Sequence, residues 1–361
     1  FEDWVFTFDF GHDMLLKHFN TTSLKGFGIS EMNNAIIAAG AALHYLAETA
    51  HDKVGHISQI SRIEEDLYVW LDKFTIRNLE ILHSPNEEAT TLIGILDQTI
   101  SPMGSRLMRR WLVLPLKEKQ PVNERLDAVE FFVNQPAASE SLKQQIRLMG
   151  DLERIISKVA VGRINPREVV QLRRAMLALA PVKEICSSSP IVSLQQMADQ
   201  INLCTLMTDK IGRELNADPP VAVNKGNVIA AGISDELDEL RDLAHSGKDY
   251  LLRLQQRESE RTGIPSLKIA YNNVFGYYLE VTNTHKDKVP PEWERKQTLV
   301  NCERYITAEL KSYEEKILNA EGRMLELETK LYNDLILSLN DYISPVQVNA
   351  LVVARLDCLL S

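Results

Sequence analysis

Between Ile233 and Leu331 the apolar positions keep two different periods. Ile233, Leu237, Leu240, Ala244, Gly247, Leu251 and Leu254 are spaced alternately by four and three. Leu310, Tyr313, Ile317, Ala320, Met324, Leu327 and Leu331 keep the same rule. A period of 3.5 places such side chains in a narrow seam along a helix, as in a coiled coil. Between the seams the period falls to two: Leu267, Ile269 and Tyr271 alternate with Lys268, Ala270 and Asn272, and Tyr277, Leu279 and Val281 with Tyr278, Glu280 and Thr282. The turn Asn272-Asn273-Val274-Phe275-Gly276 separates these runs, with Gly276 supplying backbone freedom. The pattern predicts a long antiparallel helix pair, its second helix roughly 40 Å long, with a small β element at its far end.

Elsewhere the helical period dominates. Val5, Phe6, Phe8 and Phe10 read as a strand, and the Ala-rich stretch from Glu31 to Ala50 as a buried helix. Gly26 and Gly28 complete no phosphate-binding pattern and read as a helix-entry turn. The pattern breaks at Val54 to Arg62. Ser101-Pro102 is a cap followed by a first-turn proline, and Met103, Leu107 and Trp111 form the apolar face of the helix that Pro115 closes. Arg106, Arg109 and Arg110 lie off that face and read as a solvated or carboxylate-paired face rather than a phosphate contact. Helices are expected over Pro121 to Val133, Ser139 to Val161 and Pro166 to Leu179, the last ended by Pro181. Ser344-Pro345 interrupts the returning helix before a final apolar one, Val346 to Leu360. The fold class is thus mainly α, a helical bundle with a helix pair carrying a small α+β element.

Composition narrows the functions. Apolar content of 45% and charged content of 25% suit a globular protein, and the longest apolar or glycine run, Ala35 to Leu43, is far short of the ~20 residues of a membrane span. Cys186, Cys204, Cys302 and Cys358 are scattered and read as reduced thiols of a cytoplasmic protein. Phe1 without a leader suggests a piece of a longer protein. No Walker loop, H-E-x-x-H pair or His cluster is present, so neither enzyme activity, cofactor nor metal is expected. Glu64-Glu65-Asp66 and Glu314-Glu315 read as solvated helix faces. Net charge is −10, yet Thr262 to Lys311 holds seven Lys and Arg against six Asp and Glu. A weakly basic region on an acidic body permits a polyanion there and disfavours one elsewhere. Its amides, hydroxyls and cations suit phosphate and sugar oxygens, although a solvent-facing ribbon has the same composition.

The run from Leu267 to Thr282 and that from Arg295 to Tyr305 resemble the clamp segments of the MutS family of DNA mismatch repair proteins. Leu96 to Leu112, Asp151 to Arg154 and Ser23 to Gly28 are similar to that family's core and connector segments, and the likeness runs in family order over essentially the whole chain. The resemblance implies the end of an α/β connector over 1–58, core and lever helices over 59–232, a clamp over 233–310 and the returning lever over 311–361. It implies double-stranded DNA, a homodimer and other repair proteins as partners. It also implies a parent that hydrolyses ATP with magnesium, through parts whose motifs this sequence lacks. By motif position the clamp's DNA-facing candidates are Lys268, Asn272, Asn273, Tyr277, Arg295, Lys296, Thr298, Asn301 and Arg304. A protein-binding coiled-coil scaffold and a MutS-like paralogue acting in recombination are the alternatives.

Overall fold

A computed structural model describes residues 2–50, 54, 55, 57, 60, 65–86, 89–272, 274 and 276–361. Helices α1 (Phe8–His18) and α2 (Asn33–Ala50) open the chain, followed by short α3 (Lys73–Asn78) and α4 (Leu92–Leu96). Then come α5 (Pro102–Val113), α6 (Lys119–Asn134), α7 (Pro136–Met149) and α8 (Leu152–Ala160). After them follow α9 (Pro166–Leu177), α10 (Leu179–Ser187), α11 (Val192–Gln200) and α12 (Thr205–Glu214). The long α13 (Asp235–Thr262) leads into β1 (Lys268–Asn272), β2 (Gly276–Thr282), β3 (Glu294–Thr298) and β4 (Cys302–Ile306), and α14 (Ala308–Ser338) and α15 (Ile343–Leu360) close the chain. The chain forms two compact units, 1–212 with 334–361, and 213–333.

In the first unit the strand expected at Val5 to Phe10 is helical, which corrects that reading. Asp3–Phe6 is a 3-10 turn, and the Thr7 hydroxyl accepts from the Phe10 N–H to start α1. Four apolar residues in six positions fit either period, and the cap at Thr7 favours helix. α1 and α2 approach where Gly11 meets Gly40; a Cβ on Gly40 would stand 2.3 Å from the Gly11 Cα. α2 is buried along Ile36, Gly40 and Leu43, but Tyr45 and Leu46 are exposed, so it is amphipathic rather than buried all round. The pattern break at 54–62 falls largely outside the described residues.

Two helix limits also differ from expectation. The helix expected over 139–161 is two, because Asp151 turns its carboxylate to the Arg154 N–H and caps α8. Pro181 does not end α9, which stops at Leu177; it sits in the first turn of α10, where its missing N–H costs no helical bond. α15 packs on α5, α6, α7, α8 and α11 and is buried on most of its circumference. Its start lies beyond a break at Leu339 and Asn340, upstream of Ser344-Pro345. The helical run Ala308–Leu360 contains a window long and apolar enough to cross a membrane, but 61% of that window is buried, as in a bundle's core helix. Two buried polar residues tie α15 down. Asn349 exchanges hydrogen bonds with the Asn202 backbone at 2.7 and 2.9 Å. Asp357 accepts from the Ile100 and Ser101 N–H groups at 2.9 and 2.7 Å and from the Ser101 hydroxyl at 2.6 Å.

In the second unit α13 and α14 run antiparallel. Contacts descend along one helix as they ascend along the other: Arg257 with Glu309, Tyr250 stacked on Tyr313, Arg323 with Glu236. Leu237, Leu240, Ala244, Leu251 and Leu254 are buried as the spacing predicts, and so are Leu310, Ile317 and Ala320. Beyond Ala320 the seam drifts. Met324, Leu327 and Leu331 are half-buried, whereas Glu328 and Tyr332 are buried. A straight helix of 3.6 residues per turn drifts off a 3.5 repeat, so successive four-residue steps carry the contact face round. Glu328 is neutralised by Arg241 at 2.6 Å.

Candidate nucleic-acid interface

The sheet is antiparallel in the order β1-β2-β4-β3. Alternation gives it two faces. Leu279, Val281 and Tyr305 join Leu251, Leu254, Leu310 and Ile317 in one core, with Trp293 closing its side. Gly276 has φ +74 and sits against Glu314 of α14, whose carboxylate accepts from the Tyr277 N–H at 2.7 Å and from Lys311 at 2.9 Å. Glu314 is therefore buried, a correction to its reading as a solvated face, while Glu315 is exposed. A carboxylate three residues beyond Lys311 meets the hairpin's open N–H, which no local spacing reveals.

On the other face the register aligns Lys268, Glu280, Arg304 and Gln297 across all four strands. Arg304 lies over the Tyr278 ring at 4.4 Å and donates to Glu280 at 3.3 Å and to Gln297 at 2.9 Å. Tyr278 is buried beneath it, although its alternation with Leu279 had grouped it with the polar residues. Asn272 shares this face at the opposite end of β1, and its side-chain oxygen accepts from the Val274 N–H, holding the hairpin turn. Asn273 lies outside the described residues.

The other candidates lie elsewhere. Tyr277 is half-buried on the helix-facing side against Tyr271, and burial, then Glu321, raises its phenol above the ordinary value. Arg295 reaches Glu303 at 3.3 Å, and Lys296, at the register shift of β3, pairs with Glu294. Glu303 also accepts from the Tyr305 hydroxyl; that bond, with Arg295 as a smaller cause, holds its carboxyl below the usual range. Thr298 and Asn301 are exposed around the β3–β4 turn, whose tip is Val300, 91% exposed. Asn283 braces that turn, donating its side-chain N–H to the Val300 carbonyl at 2.8 Å and its backbone N–H to the Asn301 carbonyl at 3.1 Å. Asn283 was not singled out in the sequence, because a cross-turn amide leaves no periodic signal.

The register thus brings Lys268, Arg304, Thr298 and Asn301 toward one end of the sheet, where Ser266, Thr282 and Thr284 form a hydroxyl chain at 2.9 and 3.0 Å. Asn272 stands at the opposite end and Tyr277 on the other face. Arg295, Lys296 and Arg304 are ion-paired within the sheet. The result is a polar surface with cations along both edge strands and little net charge. Cationic edges also deter pairing with other strands.

These features define a mainly α protein of two units, a helical bundle and a helix pair bearing a four-stranded sheet. The profile of MutS domain III matches residues 74–361 and that of MutS domain II residues 1–58. The chain belongs to the MutS family. It is 58% identical over 360 residues to the DNA mismatch repair protein MutS of Bacteroides thetaiotaomicron, covering 100% of this chain and 42% of that protein. To the protein of the same name from Phocaeicola vulgatus it is 59% identical, and to that from Flavobacterium psychrophilum 53%, with 100% of this chain covered and 41% and 42% of those proteins. The chain therefore spans about two fifths of the length of these curated relatives.

Proposed function

We propose that this chain is the lever and clamp region of a cytoplasmic DNA mismatch repair protein, holding duplex DNA through its backbone and without regard to sequence. On this reading 1–58 ends the connector, 59–232 forms core and lever, 233–310 the clamp, and 311–361 the return of the lever. The observation that carries it is the sheet end where Lys268, Thr298 and Asn301 stand beside exchangeable ion pairs. Surface pairs such as Lys296 with Glu294 contribute only ~0–1 kcal/mol, so a phosphate can replace the carboxylate at small cost. Hydroxyls, amides and a few cations position a protein on phosphates but read no bases.

The chain itself carries out no chemistry in this account; ATP hydrolysis with magnesium, homodimer formation and contact with other repair proteins belong to the parent. Its task is mechanical. The Glu314 bond ties the hairpin to α14, and Arg241 with Glu328 locks α14 to α13, so a displacement of the helices moves the sheet as one body. A photo-crosslinking residue at position 300 tests the assignment. It should label both matched and mismatched duplex, and Lys268→Glu or Lys296→Glu should reduce labelling equally on the two. Labelling confined to mismatched DNA, or to protein partners in competition with duplex, would refute it; the second outcome returns the scaffold reading.

A further inference from the structure

Within the bundle unit, α5, α6, α11 and α15 line a half-open cavity of about 310 Å³ whose wall carries Arg110, Arg125 and Arg355. Residues 67–69 close one side: Tyr68 pairs with Leu116 and the Val69 N–H reaches the Pro115 carbonyl at 2.8 Å. Arg125 lies over the Trp111 ring, its guanidinium carbon 3.5 Å from the ring centre, which holds the guanidinium in place. Arg125 and Arg355 repel each other, and burial first, with Arg355 as a lesser cause, holds the Arg125 guanidinium below its ordinary pKa. Among the described residues Glu124 is the one carboxylate on the wall, and Gln120 donates to it at 3.1 Å. Among the described residues none of the three arginines makes an ion pair. Arg106 on the same helix, by contrast, is bound to Asp151 and Glu153.

Arg125 and Arg355 are half-buried and Arg110 stands exposed at the rim, so three guanidiniums without a carboxylate partner face one concave place and favour an anion there. Their planar donor forks match the oxygens of a phosphate. The volume stands at the small end of the ~300–1,000 Å³ typical of ligand sites. We propose that this cavity is an anion site that takes a small phosphate-bearing ligand, either free diphosphate or the phosphate tail of a nucleotide. Arg125 is the fixed donor, and Arg355 and Arg110 close on the ligand from α15 and α5.

Calorimetric titration of the chain with inorganic pyrophosphate, and separately with ADP, at constant ionic strength tests this. Saturable one-to-one binding is expected, and Arg355→Gln and Arg110→Gln should each weaken it by about tenfold or more. Arg355→Gln should also raise the melting temperature of the ligand-free chain, because it removes a repulsion. Tighter binding of ADP would identify a nucleotide as the ligand, and equal binding the diphosphate alone. No saturable heat from either probe up to about 1 mM would overturn the proposal, since affinity weaker than that is worth only ~4 kcal/mol. So would affinity unchanged in both variants.

Discussion

Gly276→Ala tests how the sheet is fastened to the helix pair. The residue has φ +74, where an L side chain costs about 1–2 kcal/mol. The added Cβ would stand 2.3 Å from the Glu314 Oε2 that accepts from the Tyr277 N–H. Glu314 must then move, and a charge-assisted bond in a buried place is worth about 1.5–3 kcal/mol. Together these predict a loss of about 2.5–5 kcal/mol in the local stability of residues 276–282, seen as amide exchange at least about 50-fold faster there. The cycle with Glu314→Ala separates the two causes. Alanine at 314 removes both the clash and the bond, so the double variant should be less destabilised than the sum by about 1.5–3 kcal/mol. Exchange in 276–282 unchanged by Gly276→Ala, or strict additivity in the cycle, would show that Glu314 does not fasten the hairpin to α14.

Other substitutions probe the remaining ties. Glu328→Ala takes from half-buried Arg241 its buried partner but leaves it Asp238 at 3.0 Å and the Ile229 carbonyl at 2.6 Å, and should cost about 1.5–3 kcal/mol in urea unfolding of the helix pair; a loss below about 1 kcal/mol would show that solvent already screens the pair. Asp357→Ala orphans the Ile100 and Ser101 N–H groups and should cost about 2–4 kcal/mol, with Asp357→Asn in between, read by thermal unfolding of the bundle. Arg257, and then Tyr250, hold Glu309 below the usual glutamate value of 4.5. A lowered folded-state pKa stabilises the fold above 4.5 and loses that stabilisation as pH falls through the lowered value. The urea midpoint of residues 213–333 should therefore drop below that pH, and Arg257→Met should flatten the drop.

The sequence made the helix pair and hairpin legible because both periods persist over many residues and Gly276 marks the turn between them. Ser101-Pro102 and Asn165-Pro166 were legible for a local reason, since cap and proline act within one turn. Phe8 and Phe10 misled because a six-residue window fits either period. Glu314, Glu328 and Asp357 were invisible as buried anchors, since their partners lie 37, 87 and 256 residues away. The candidate site was legible as a region. The register then separated Tyr277 from Lys268 and showed Arg304 covering Tyr278, which the order of residues along a strand does not reveal. Arg110 is exposed on the helix that carries carboxylate-bound Arg106, as a solvated face requires, but that it stands beside Arg125 and Arg355 is not visible in the spacing along the helix.

In the proposed clamp the sheet end grips the phosphate backbone and nothing more. The direct measurement is the affinity of the chain for matched and mismatched duplex as a function of salt, starting from low ionic strength. Each neutralised phosphate contributes a slope of about −0.9 in log K against log salt, so two or three contacts predict a slope near −2 to −3, the same for both duplexes. A flat salt dependence, or tighter binding to the mismatched duplex, would rule out a grip on phosphates alone.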